Sequence, residues 1–156
     1  MPTLAQKNAC DLLDADHIAV KHLFVEYARL AMQQPDAAAE RQPIAQKICA
    51  ELTVHAQIEE EIFYPALREV VDAPELLDEA EAEHQEAKEL IAQIEAAEPG
   101  PDMDDLVSLL ARAVEHHVKE ERDHLFPKAR AAEELDLDEL GAKLRERQQE
   151  LEGEAA

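Results

Sequence analysis

Four stretches of the chain place apolar residues at alternating steps of three and four. The first runs Leu13, His17, Val20, Phe24, Tyr27, Ala31, and the second Ile48, Leu52, His55, Glu59, Ile62, Ala66. The third runs Leu77, Ala80, His84, Ala87, Ile91, Ile94, and the fourth Leu106, Leu110, Ala113, His117, Glu121, His124. This step is the seam of a helix packed in a bundle. Turn signals separate the stretches. Gln34-Pro35-Asp36 closes a first helix that begins near residue 9, and Pro43 stands where a second could begin, running on toward Pro65. Asp72-Ala73-Pro74 opens a third, with Asp as a cap and Pro in the first turn. Glu98-Pro99-Gly100-Pro101-Asp102 ends it, and a fourth spans about 103–130. Leu137, Leu140, Leu144 and Leu151 mark a weaker fifth after Asp136. Short connections between long helices predict an all-α, antiparallel up-down-up-down four-helix bundle with a short C-terminal fifth helix. The expected division is a bundle over residues 1–133 and an amphipathic helix with an acidic tail over 134–156.

The stripes carry residues that a core does not accept without reason. An unpaired buried carboxylate costs several kcal/mol, so it is neutralised, paired or bound to metal. Four His and two Glu fall on the inward stripes of all four helices, and no Arg joins them there. Their levels agree as well. From a first turn near residue 39, His17 lies 22 residues before and Glu59 20 after. From a second near 72, Glu59 lies 13 before and His84 12 after. From a third near 99–100, His84 lies about 15 before and His117 about 17 after. Each turn returns a candidate ligand to the same layer.

Part of this pattern is written twice. His55-x3-Glu59 leads to Tyr64-Pro65, and His117-x3-Glu121 leads to Phe126-Pro127, at an offset of 62 residues. A His and a Glu four apart share a helix face, roughly 6 Å apart along the axis. Asp16-His17-x3-Lys21-x-Leu23 is echoed by Glu83-His84-x3-Lys88-x-Leu90. Two copies of one helical hairpin, related by a pseudo-twofold, would hold one metal each and make a dinuclear site, with ions about 3.5–4 Å apart. Each half supplies two His and a Glu able to bridge. Imidazole with carboxylate and no thiolate suits Fe, Mn or Zn. Other registers compete. His22-x3-Glu26 is rotated about 140° from His17 and belongs to the outer face. His116-x3-Glu120 is displaced from the stripe that selects His117. His124 falls inward, about two turns beyond His117. Glu81/His84 and Glu121/His124 offer the Glu-x-x-His spacing of ferritin-like sites, but on adjacent rather than alternate helices.

Composition narrows the partners. The 156 residues suffice for one ordinary core, and three Gly with few aromatics favour helix. A net charge of −22 argues against nucleic acid and anionic membranes. No apolar run approaches the ~18 residues of a membrane span. The opening Met-Pro-Thr-Leu-Ala-Gln-Lys-Asn-Ala-Cys lacks a signal-peptide core, so the expected location is cytoplasmic. Cys10 and Cys49 make no metal-ligand spacing and are expected to be reduced.

Taken in order, Asp16-His17 with Leu23-Phe24, His55-x3-Glu59 with Tyr64-Pro65, Glu83-His84, and His117-x3-Glu121 with Phe126-Pro127 resemble the hemerythrin-like HHE cation-binding family. The resemblance covers roughly residues 9–130. It implies two non-haem iron ions joined by an oxo or hydroxo bridge. It further implies His17, His55, His84 and His117 as terminal ligands, Glu59 and Glu121 as bridges, and an open position for O2. Oxygen-carrying members present H-x3-H on the third helix, where this chain has His84-x3-Lys88. The expected function is therefore a binding or sensing protein for O2 or another small diatomic or peroxide ligand. The alternatives are a di-iron oxidoreductase acting on peroxide or nitric oxide, iron storage, and a metal-stabilised structural bundle. A homodimer or partner protein would dock through the C-terminal helix.

Overall fold

The computed structural model describes residues 8–155; the opening seven residues lie outside them, and with them most of the segment expected to lack a leader. Every regular element among the described residues is helical. α1 spans Ala9–Gln33 and α2 Ala38–Ile58. α2 runs through a single π turn, Glu59–Phe63, into α3, Tyr64–Val70. α4 spans Pro74–Ala96. α5, Pro101–Glu120, passes through a second π turn, Glu121–Leu125, into α6, Phe126–Ala131. α7 spans Leu137–Ala155. α1 packs on α2 and α5, α4 on α5 and α2, and α7 lies across α1, α2 and the first π turn. The expected four-helix bundle with a fifth helix is the fold.

The caps follow local chemistry, with two departures. The Asn8 side chain accepts from Asp11 N–H, and Asp136 accepts from Glu139 N–H at the start of α7. Pro74 takes the first turn of α4, but Ala73, not Asp72, is its cap residue and no side chain caps it. α2 begins five residues before Pro43, which lies inside the helix. Arg41 accounts for the early start. It is buried, pairs through two nitrogens with Asp104 at 2.7 and 2.9 Å, and donates to the Gln34 carbonyl at 3.1 Å. The Tyr27 hydroxyl donates to the same Asp104 at 2.6 Å. This network fixes the α1–α2 turn against α5, so the first turn of α2 forms ahead of the proline. Before α5, Gly100 has φ 154°, a conformation that L side chains rarely adopt.

The π turns correct two of the expected stripes. The Tyr64 N–H bonds back five residues to the Glu59 carbonyl, and the Phe126 N–H does the same to Glu121. One extra residue per turn advances the inward face by one position. Phe63, Tyr64 and Leu67 are buried where Ile62 and Ala66 were expected, and those two are only half-buried. Leu125, Phe126 and Ala129 are buried where His124 was expected, and His124 is exposed. Pro65 and Pro127 each follow at the next position, where the ladder is already broken and a missing N–H costs little.

The core has two parts. Leu12, Leu13, Phe63, Leu67, Leu77 and Phe126 fill one end together with Leu140, Leu144 and Leu151 of α7. Ile48, Ile91, Ile94, Met103 and Leu110 fill the other. Phe63 and Phe126 meet edge to face, ring centroids 5.9 Å apart. Between the two clusters lies a polar layer.

Candidate metal centre

That layer contains all six residues expected as ligands, drawn from four different helices. His17 on α1, His55 on α2, His84 on α4 and His117 on α5 are buried, and Glu59 and Glu121 are wholly inaccessible. Both Glu open a π turn, one α-helical turn beyond His55 and His117 and on the same inward face. The rings form two pairs. His17 Nε2 lies 3.0 Å from His55 Nε2, and His84 Nε2 lies 3.2 Å from His117 Nε2. Glu59 Oε1 is 3.1 Å from both His55 Nε2 and His84 Nε2, so it spans the pairs. Glu121 Oε1 does likewise, 3.1 Å from His17 Nε2 and 3.3 Å from His117 Nε2. Glu59 Oε2 and Glu121 Oε1 are buried without a properly directed hydrogen bond.

Carboxylates outside the layer orient the rings. Asp16 Oδ2 lies 3.2 Å from His55 Nδ1, and Glu83 Oε1 lies 2.8 Å from His117 Nδ1. Glu60 Oε2 lies 3.0 Å from His84 Nδ1. With the outer nitrogen occupied, each of these imidazoles presents Nε2 inward. Asp16 and Glu83 each precede a layer His and brace the ring of the next helix. That arrangement was missed from sequence, although the echo of Asp16-His17 in Glu83-His84 was its signal.

Tyr64 was missed too. Its hydroxyl donates to Glu121 Oε2 at 3.0 Å and lies 3.3 Å from Nε2 of both His84 and His117. Its counterpart in the repeat, Phe126, stacks on His17 with centroids 6.1 Å apart and brings no polar atom. Lys88 stays at the surface, bonded to Glu60 Oε1 at 2.7 Å. The competing registers fall outside: His22 is exposed, and Glu81 is exposed beside Arg68. His116 lies on the rim, 3.1 Å from Glu83.

Electrostatics in the metal-free protein follow from this crowding. Burial alone would lower the His55 pKa, but the Glu59 carboxylate and Asp16 outweigh it and raise it to about 10. His117 is likewise raised well above 6.5, burial being overcome chiefly by Glu121. Glu59 is held well below 4.5 although burial opposes this, because His55 and the neighbouring donors favour its charge. Burial, then the Glu121 and Glu59 charges, drive Tyr64 well above 10. The buried Glu59 carboxylate is thus favoured as an anion, and His55 and His117 are favoured as imidazolium beside it. No Lys or Arg reaches it among the described residues, and its donor set fits divalent cations. Within the layer two groups have the spacing for an ion, His17, His55, Glu59 and Glu121, and Glu59, His84 and His117; a third, Glu79, Glu83 and His116, lies on the rim outside it.

Against the layer opens a cavity of about 40 Å³, walled by Leu52, Ala87, Ile91 and Val114 and floored by the four imidazoles.

A helical bundle with imidazoles and carboxylates from four helices converging in its core is a cation-binding protein of the bundle class. Residues 8–129 match the model of the hemerythrin HHE cation binding domain, and the chain belongs to that family. A protein named DNA nickase from Nostoc sp. (strain PCC 7120) is 37% identical over 123 residues, 76% of this chain but 32% of its own length. The chain therefore spans about a third of that relative. The uncharacterized Mycobacterium tuberculosis protein Rv2633c is 28% identical over 149 residues, covering 94% of this chain and 88% of that one. The crystal structure of an HHE domain-containing homologue of Rv2633c from Mycobacterium kansasii superposes with a TM-score of 0.79 at 26% identity, over 96% of this chain and 90% of that one.

Proposed function

We propose that the chain binds two iron ions and through them O2 or a related small oxidant. His17, His55, His84 and His117 would hold the ions through Nε2, and Glu59 and Glu121, each within 3.3 Å of a ring from both pairs, would be shared between them. The observation that carries this reading is the joining of the six-donor layer to the 40 Å³ cavity. A cavity of that size admits a diatomic molecule or peroxide and is far below the ~300 Å³ of a typical organic-ligand pocket. Iron, when bound, supplies redox chemistry and a coordination position for the ligand. The residues do the rest. The apolar walls keep bulk water from the layer. Tyr64, whose pKa is held above its ordinary value, keeps its proton at pH 7 and offers it at the Glu121 side of the layer.

Tyr64 also favours a second reading, turnover of peroxide or nitric oxide, because its buried hydroxyl, which does not line the cavity, can pass a proton into the layer through Glu121. The act named for the Nostoc relative is not carried over. The match covers a third of that protein, and a charge of −22 repels a polyanion. The protein is taken as cytoplasmic, with both cysteines reduced. Burial pushes the Cys10 and Cys49 thiols up to about 11, which keeps them unreactive. The leucines of α7 are turned inward, so a partner would meet its outer, charged face.

Anaerobic loading of the apo-protein with Fe2+, followed by metal counting and admission of O2, tests the proposal. Two ions per chain and a reversible visible band are expected. Irreversible oxidation with consumption of peroxide would favour the second reading, and fewer than one ion per chain would refute both.

A further inference from the structure

The two hairpins differ where the repeat should match. Glu60 follows Glu59, and the offset of 62 residues sets Arg122 in its place after Glu121. Glu60 braces His84 Nδ1 at 3.0 Å and is itself held by Lys88 at 2.7 Å. Arg122 has no acceptor to offer an imidazole. It donates instead to Asp14, which stands 3.9 Å from His17 Nδ1, beyond hydrogen-bond reach. His17 Nδ1 is buried with no hydrogen-bond partner. The other two rings are matched, His55 on Asp16 and His117 on Glu83. One half-site thus has carboxylates behind both imidazoles, and the other behind only one.

A carboxylate on the outer nitrogen fixes the tautomer and orientation of a ligating imidazole and raises its basicity. Loss of such a partner costs about 10–100-fold in metal affinity. We propose that the two ion positions are unequal. The His84–His117 half, with Glu60 as positioning residue, fills first and tightly. The His17–His55 half holds its ion about 10–100-fold more weakly and is the one that exchanges. This inequality rests on the reading of the layer as a metal centre. Lys88 then contributes at one remove, by holding the carboxylate that holds His84. The protein would accordingly pass through a one-ion form whenever free metal falls between the two affinities.

Cobalt(II) titration against a chromophoric chelator tests this on the full chain. In H17A the intact half is His84–His117, and in H84A it is His17–His55. The single ion of H17A is expected to bind 10–100-fold more tightly than that of H84A. Adding Glu60→Gln to H17A should abolish the difference. Should either His variant prove unstable, E60Q alone suffices, since its side chain is part-exposed. It should weaken the tighter of two constants and spare the other. Equal affinities in H17A and H84A, or an unchanged tighter constant in E60Q, overturn the inequality while leaving the metal centre standing. Failure of the unaltered protein to take up cobalt overturns the metal-centre reading itself.

Discussion

Metal loading should expel protons. In the metal-free protein His55 has its pKa raised from 6.5 to about 10, and His117 lies well above 6.5. His55 is imidazolium at pH 7 and His117 is shifted the same way by Glu121, and a protonated ring must lose its proton before Nε2 can take a metal. Each displaced proton makes the loading constant rise tenfold per pH unit. From His55 alone the loading constant should therefore rise about tenfold between pH 7 and 8, or about 1.4 kcal/mol, and the upward shift of His117 steepens it further. The same shifts set the stability of the metal-free form. A raised His pKa contributes stability that is complete below pH 6.5 and lost as pH rises through about 10. The depressed Glu59 contributes stability present above pH 4.5 and lost as pH falls through its folded value. The metal-free protein should thus melt highest between about pH 4.5 and 6.5, while metal binding strengthens above that window. Chelator competition at several pH values measures the slope, and calorimetry in two buffers of different ionisation enthalpy counts the protons directly. His55→Ala should reduce the slope by one. A loading constant independent of pH would refute the assignment of charge to these imidazoles.

Further outcomes are expected elsewhere. Tyr64→Phe should keep both ions, cost the metal-free protein about 1.5–3 kcal/mol by removing the donor to the buried Glu121 carboxylate, and slow any proton-coupled reduction of a bound oxidant. Metal counting and single-turnover kinetics check the two halves of that statement. Arg41→Ala should cost about 3 kcal/mol in urea unfolding, the low end for a broken buried pair because Asp104 keeps some solvent. Leu144→Ala, at a wholly buried position of α7, should cost about 2–5 kcal/mol in the same assay. Deleting Ile62 should close the turn as ordinary α-helix, with Tyr64 bonding back four residues to Glu59 and still on its face, so metal counting should find both ions retained.

The bundle was legible because its stripes follow one period over four helices and its turns hold Pro and Gly. The six layer residues were legible because a wrong partner for a buried Glu is costly, and the distances to each turn put them at one level. What escaped was what breaks the period. Nothing in His55-x3-Glu59-x4-Tyr64 states that the backbone bonds back five residues instead of four, so Ile62 and His124 were assigned inward when Tyr64 and Phe126 are. The start of α2 escaped because Pro43 is a local signal, whereas the Arg41–Asp104 pair that overrides it joins residues 63 apart. Nothing in the sequence separates Glu60 and Arg122 from ordinary surface charges, and only side-chain geometry shows one on a ring nitrogen and the other on Asp14.

The two π turns also record how the chain came to be. An extra residue in a helix shifts everything beyond it, so it is tolerated only where the surrounding packing accepts it. Here it occurs twice, starting at Glu59 and at Glu121, with the same proline one residue past each turn's closing bond. Two separate insertions would have had to strike matching positions in two helices. One insertion in an ancestral hairpin, copied when that hairpin was doubled, accounts for both.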